Sequence, residues 1–78
     1  MAEAVQVVHG EGAYVAHAET DVYGPGKVLA VEGELRRVRF VYFVATVGAG
    51  VLRAANEAEE AWVRAWIAER RQRYGKQW

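Results

Sequence analysis

The sequence predicts a mostly β domain, in which a small, bent antiparallel barrel of about five strands is followed by one C-terminal helix. Valine-rich segments of strand length recur over the first 55 residues, and glycine-bearing turns separate them. From position 56 onward the apolar residues follow helical spacing instead. A chain of 78 residues forms a single domain with a small core. We assign residues 1–55 to the barrel and residues 56–78 to the helix and a short basic tail, packed as one domain.

Turn residues set the boundaries of the predicted strands. Pro25 followed by Gly26 predicts a type II turn, because proline presets φ near −65° and glycine accepts a positive φ. Gly33 predicts a hairpin further along. The segments predicted as strands are Val5–Val8, Tyr14–Ala18, Lys27–Glu32, Leu35–Val47 and Val51–Ala55.

Leu35–Val47 is predicted as one long strand whose character changes along its length. Arg36, Arg37 and Arg39 lie at one end, and the remainder is largely apolar. We therefore expect the strand to leave the core at its arginine-rich end and to expose a basic patch there.

The C-terminal segment carries clear helix boundaries and two apolar stripes. Asn56 with Glu59 three residues later follows the capping-box pattern, and Gly75 is the expected stop. Glu60–Arg64 and Glu69–Arg73 are spaced as i,i+4 ion pairs. A bulky stripe holds Trp62, Val63, Trp66, Ile67 and Tyr74, and a smooth stripe holds Ala58, Ala61, Ala65 and Ala68. We expect the tryptophan face to meet the barrel or a partner. We expect the alanine face to meet a second helix, as it would in a homo-oligomer.

The two halves of the chain carry opposite charge. Residues 1–35 hold six acids and one base, whereas residues 36–78 hold nine bases and four acids, so the formal net charge is zero. Such asymmetry is typical either of a nucleic-acid-binding face or of acidic and basic strands that pair side by side. The apolar share of 53% is generous for so small a core and favours a surface that meets a partner.

The segment from Gly12 to Phe40 resembles the SH3-like, Tudor-type small barrels of bacterial transcription and repair proteins. The resemblance rests on Gly-Ala-Tyr-Val-Ala-His at 12–17, Tyr-Gly-Pro-Gly-Lys-Val-Leu-Ala-Val-Glu-Gly at 23–33, and Val-Arg-Phe at 38–40, with Val51-Leu52 as the closing strand. Similar patterns occur in the RNA-polymerase-interacting domain of CarD and the transcription-repair coupling factor, and in the C-terminal Tudor domain of UvrD/PcrA helicases. Two features depart from the pattern: the apolar stretch after Phe40, where a short polar loop is usual, and the added helix.

No catalytic constellation is present in the sequence. The chain contains no cysteine and no serine, which excludes thiolate metal sites and serine nucleophiles. Neither His9 nor His17 has a partner ligand at metal-binding spacing, and the glycines before Lys27 lead into a strand, whereas a P-loop opens a helix. We predict a non-enzymatic protein with no catalytic residues, no metal and no cofactor. The sequence lacks a signal-peptide pattern and a long apolar stretch, so we expect a cytoplasmic location without membrane contact.

The leading functional hypothesis is an interaction module for a protein of the transcription or repair machinery, and the resemblance implies RNA polymerase or a helicase. Its predicted contact residues are Arg36, Arg37, Arg39, Phe43, Trp62 and Trp66. The alternative is direct nucleic-acid binding through Arg36, Arg37, Arg39, Arg70, Arg71, Arg73 and Lys76. A third hypothesis is a phage or mobile-element protein that inhibits a host complex as an oligomer.

Overall fold

The computed structural model describes residues 8–76, which form five antiparallel strands in one sheet followed by one α-helix. The mostly β fold class predicted from the sequence is therefore confirmed. Of the predicted strand Val5–Val8, residues 5–7 lie outside the described residues, and Val8 lies in a turn. The elements are β1 (Tyr14–His17), β2 (Gly26–Glu32), β3 (Leu35–Phe40), β4 (Val44–Gly48), a one-turn 3₁₀ helix (Ala49–Val51), β5 (Leu52–Ala54) and α1 (Glu57–Tyr74).

The connection between β4 and β5 requires the sheet to curl. The strand order is β4-β3-β2-β1-β5, so these two consecutive strands form opposite edges of the sheet. In a flat sheet the four interstrand spacings would place the edges about 19 Å apart. The chain from Gly48 to Leu52 spans at most about 14 Å even when extended, and it contains a 3₁₀ turn that shortens it further. The two edges must therefore approach each other, which gives the bent, barrel-like shape.

The predicted single strand Leu35–Val47 is wrong, because the chain reverses at positions 41–43 to form the β3–β4 hairpin. The Phe40 N–H donates to the Phe43 carbonyl oxygen at 2.9 Å, and the Val41 N–H donates to the Pro25 carbonyl oxygen at 2.9 Å. Val41 leaves the strand and is buried with Val63 of α1. Packing against the helix accounts for an apolar side chain in this turn, where hairpins usually carry polar residues.

The predicted type II turn at Pro25–Gly26 is also wrong. Positive φ occurs at Gly24, at +71°, and the turn that precedes β2 closes with the Gly24 N–H donating to the Asp21 carbonyl oxygen at 3.1 Å. Gly26 begins β2. It needs to be glycine because a Cβ there would lie 2.6 Å from the Arg39 carbonyl oxygen. The hairpin predicted at Gly33 is confirmed, since Gly33 has φ +62° and joins β2 to β3.

Two apolar clusters hold the structure together. The inner face of the sheet forms the first, and its buried residues are Val15, Val28, Val38, Phe40 and Leu52. The second lies between the outer face and α1, where Val41, Val63 and Ile67 are buried and Tyr14 and Trp66 pack against them. The helix thus covers part of the outer face of the sheet.

The helix begins and ends where the sequence predicts. The Asn56 side chain accepts a hydrogen bond from the Glu59 N–H, the Glu59 side chain accepts one from the Asn56 N–H, and Gly75 is the C-cap. Both predicted i,i+4 ion pairs are present. Arg53 of β5 also binds both carboxylate oxygens of Glu59 at 2.7 Å, which ties the first turn of α1 to the sheet.

Candidate functional site

The β3–β4 turn and the second half of α1 enclose a cleft with a volume of about 280 Å³. We call it the arginine–aromatic cleft. Four residues that the sequence analysis singled out line it, and they come from separate parts of the chain: Arg39, Phe43, Trp66 and Arg70. The remaining lining residues are Phe40, Val41, Tyr42 and Val44. The fold therefore brings members of both predicted binding sets to one place.

Phe43 is held at the cleft by ring contacts from inside the barrel. The centroid of its ring lies 4.7 Å from that of Tyr23, and Tyr23 in turn lies 5.1 Å from Phe40 in an edge-on arrangement. Such edge-to-face contacts fix ring orientation as well as adding stability. Phe43 nevertheless remains 42% exposed, whereas Phe40 is 1% exposed. The cleft thus presents an aromatic ring that is oriented in advance and accessible to a partner.

Trp66 and Arg70 form the helix side of the cleft. The Arg70 guanidinium lies 5.6 Å from the centroid of the Trp66 ring and 5.9 Å from that of Tyr74. A guanidinium at this distance from an aromatic ring is attracted by the ring electrons and is held in place. Trp66 is half-buried, because it also packs against the second apolar cluster. The helix wall therefore joins a large apolar surface to a positioned charge.

Arg39 also lines a second concavity, which we call the basic groove. It lies between the outer face of the sheet and α1, has a volume of about 460 Å³, and includes Lys27 and Arg71. Glu11 is the acidic residue that lines it, and Leu29 and Ile67 contribute apolar surface. Arg39 lies where the basic groove and the arginine–aromatic cleft meet.

A β-bulge places Lys27 in the basic groove. The β2–β3 register shifts between Val28 and Ala30, so that Lys27 lies opposite Arg39. If every residue of β2 were kept and paired regularly, in the register set by Glu32 and Leu35, Lys27 would lie one position further along β3. A shift of one residue exchanges the two faces of a strand. The sequence analysis missed Lys27 as a site residue because no clear signal in the sequence marks this bulge.

Arg36 was predicted as a surface contact, and this is wrong because its side chain is buried, with 5% exposure. Nε and Nη2 donate to the Val8 carbonyl oxygen, and Nε also donates to that of His9, at 2.9–3.1 Å. Nη1 donates to the Gly33 and Leu35 carbonyl oxygens at 2.8 Å. Arg36 thus holds the start of the described chain against the β2–β3 hairpin and is not available to a partner.

Four other predicted residues lie away from both concavities. Arg37 is exposed on β3, opposite Ala30 and Thr46. Trp62 packs edge-on against Tyr42 and lines a separate pocket of about 300 Å³ with Arg53. The last two are Arg73, which pairs with Glu69, and Lys76, which is exposed beyond α1. The predicted basic set is therefore divided: Arg39, Arg70 and Arg71 face the cleft or groove, and the others do not.

The alanine stripe of α1 faces solvent along its length. Ala58, Ala61, Ala65 and Ala68 are all exposed. The hypothesis that this face meets a second helix stays a prediction.

The Arg53–Glu59 pair is the site of the clearest pKa shift in a carboxyl group. The pKa of Glu59 is held below its ordinary value, first by the hydrogen bonds from the Arg53 guanidinium and then by that from the Asn56 N–H.

Within residues 8–76 there is no group of three or more His, Cys, Asp or Glu side chains placed to hold a metal ion. None of the helices in the described chain has the length and apolar character needed to cross a membrane.

Comparison of the chain with protein-family models, with curated proteins and with solved structures gives no match.

Proposed function

We propose that this chain is a non-enzymatic interaction module that binds another protein through the arginine–aromatic cleft. The observation that supports the proposal is the convergence of Arg39, Phe43, Trp66 and Arg70 on one concavity. Tryptophan, tyrosine and arginine are the residues most enriched at the energetic centres of protein interfaces. The exposed apolar side chains around the cleft, Tyr42, Phe43 and Val44, fit the same role, since contiguous apolar surface is typical of interaction sites.

The resemblance to the bacterial transcription and repair barrels suggests the class of partner. In those families the barrel binds protein, notably RNA polymerase, and we propose RNA polymerase or a helicase as the partner here. The five-stranded sheet, curled so that β4 and β5 approach each other, is compatible with a small barrel. The reversal at positions 41–43 reduces one of the two departures from the family pattern, since the chain turns after Phe40 as those barrels do, although the turn itself is apolar.

The proposal can be tested by affinity capture with the immobilised chain from a bacterial lysate, followed by binding measurements on the captured protein. Trp66→Ala should weaken that binding about 30-fold, corresponding to the roughly 2 kcal/mol of an interface hot spot. Trp62→Ala is the matched control, because it removes the same side chain from the neighbouring pocket. Failure to recover RNA polymerase or a helicase would reject the specific partner, and an equal loss in both variants would reject the cleft.

Direct nucleic-acid binding is the second candidate, and the observation that supports it is the set of cations in the basic groove. Lys27, Arg39 and Arg71 line one concavity, and Trp66 lies close by in the adjoining cleft. Cations that follow a phosphate backbone next to aromatic rings are typical of single-strand binding. If this function is correct, titration of labelled DNA should show salt-dependent binding, and Arg71→Gln should lower the salt slope by about one. Absence of binding at low ionic strength would reject it.

A further inference from the structure

The basic groove draws its positive charge from three different elements of the fold. Lys27 comes from β2, Arg39 from β3 and Arg71 from α1, and together they line a concavity of about 460 Å³. Glu11 alone among the acidic residues of the described chain lines it with them. The groove therefore carries a net positive charge, although the chain as a whole is formally neutral.

Three of the arginines outside this groove form ion pairs within the fold. Arg53, Arg64 and Arg73 each pair with a glutamate, at 2.7, 2.7 and 3.4 Å respectively. Among residues 8–76, by contrast, no carboxylate forms an ion pair with Lys27 or Arg71. Opposite charge across an interface increases both association rate and specificity. The charges of Lys27 and Arg71 thus remain available to an anionic group from outside the molecule.

Arg39 connects this charge to an apolar pocket. It lines both the basic groove and the arginine–aromatic cleft, where Phe43 and Trp66 supply ring surface. An extended chain passing Arg39 would therefore meet apolar surface on one side and cationic surface on the other. Such a chain would need an apolar side chain on the side of the cleft and anionic side chains on the side of the groove.

We infer that the partner contributes an extended acidic peptide segment with one large apolar residue. The apolar residue occupies the arginine–aromatic cleft, and the Asp or Glu residues beside it lie in the basic groove against Lys27 and Arg71. This inference rests on the proposed protein-binding function and adds the chemistry of the bound segment.

The groove favours a peptide over a nucleic acid for two reasons. Its walls include apolar surface from Leu29 and Ile67, which suits a peptide side chain better than a sugar–phosphate backbone. The formal net charge of zero gives little of the long-range attraction that supports binding to a polyanion.

Labelled synthetic peptides give a direct test with the full chain. The probes are a short peptide with one tryptophan flanked by Asp and Glu, the same peptide with Lys at the acidic positions, and single-stranded oligothymidine. Fluorescence anisotropy should show that the acidic peptide binds and that its affinity falls with added salt, since exposed charges are screened. Equal binding of the basic peptide, no binding of the acidic peptide, or tighter binding of oligothymidine would overturn the inference, the last in favour of nucleic acid.

Two double variants test where on the surface the charge acts. Lys27→Glu with Arg71→Glu should weaken binding of the acidic peptide at least about tenfold, because reversed charges then face the peptide carboxylates. Arg37→Glu with Arg73→Glu changes the net charge by the same amount away from the groove, and it should change the affinity less than about twofold. An equal loss in both double variants would overturn the assignment of the groove.

The same variants separate failure of this inference from failure of the proposed function. If the protein captured from lysate is lost with Trp66→Ala but retained with the Lys27–Arg71 double variant, the cleft binds protein and the acidic segment is wrong. If the wild type captures neither RNA polymerase nor a helicase and yet binds the acidic peptide, the named partners are wrong and the peptide chemistry stands. Thermal unfolding of each variant confirms that the comparison is made between folded chains.

Discussion

The two faces of β3 use arginine in opposite ways. On the inner face, Arg36 is 5% exposed and its guanidinium is surrounded by backbone carbonyl oxygens. On the outer face, three residues later, Arg39 lines both the cleft and the groove. The residue type and the strand are the same, so the difference lies in what the backbone brings to each side. In this molecule, the inward arginine holds the fold together and the outward arginine lines the surface that we propose meets a partner.

The largest loss of stability is expected for replacement of Phe40, and Phe43 provides the comparison because both rings contact Tyr23. Phe40→Ala removes a large buried side chain from the inner cluster and leaves a cavity, so it should lower the free energy of unfolding by about 3–5 kcal/mol. Phe43 is 42% exposed, so Phe43→Ala should cost only about 1 kcal/mol, while weakening the binding of a partner. Urea denaturation gives the stability of both variants. Similar losses would show that Phe43 belongs to the core and not to the cleft.

The comparison within β3 is tested by replacing each arginine with methionine. Arg36→Met leaves several carbonyl oxygens without their donor and should lower the free energy of unfolding by about 3 kcal/mol, because hydrogen bonds to charged groups are among the strongest. Arg37→Met, its exposed neighbour, should change it by less than about 0.5 kcal/mol. Denaturation midpoints of the two variants measure the contrast. A small effect at Arg36 would mean that water readily replaces the guanidinium.

Alanine substitutions at two glycines, Gly26 and Gly48, test how closely β2 and β3 approach. A Cβ at Gly26 would lie 2.6 Å from the Arg39 carbonyl oxygen and 2.8 Å from the Phe40 Cα, so the strands must separate to admit it. Gly26→Ala should therefore cost about 2 kcal/mol, within the usual range for overpacking. Gly48→Ala is the control, because its added methyl would meet nothing within 4 Å. Thermal unfolding should separate the two, and equal melting temperatures would contradict the close approach.

The smallest effect concerns the Arg53–Glu59 pair and depends on pH. Because the pKa of Glu59 is lowered in the folded state, its contribution to stability is complete above the ordinary glutamate pKa of about 4.3. The contribution is lost as pH falls from there through the lower folded pKa. Glu59→Gln should therefore be less stable than the wild type at pH 7, and the difference should shrink below pH 4. Melting curves at both pH values measure it. A difference independent of pH would exclude the carboxylate as the cause.

Local signals in the sequence were sufficient for several parts of the fold. The capping box at Asn56 and Glu59 and the hairpin at Gly33 follow from residue chemistry that acts over a few positions, and both are confirmed. The mostly β class followed from valine-rich segments and turn residues in the same way. The i,i+4 pairs of α1 are also present, because helical spacing alone places their members together.

The predictions that were wrong concern features that depend on contacts between residues distant in sequence. The reversal at Val41 is stabilised by Val63 of α1, which lies more than twenty positions later, so the apolar side chain of Val41 resembled that of a continuing strand. Arg36 was taken as exposed because charge usually indicates a surface position, and only the fold surrounds it with carbonyl oxygens. Of the candidate site, Arg39, Phe43, Trp66, Arg70 and Arg71 were named from the sequence, but their grouping follows from how α1 lies on the sheet.

The bulge in β2 makes the curvature of the sheet sensitive to chain length. One extra residue between Val28 and Ala30 interrupts the pairing with β3, and such a residue bends its strand and increases the local twist. Deleting one codon at this point would restore an unbroken ladder in which Val28 still lies opposite Val38 and Lys27 still lies opposite Arg39. Related chains with a shorter β2 would therefore keep the same cations on a straighter strand, so length variation here alters the shape of the recognition surface before it alters its charge.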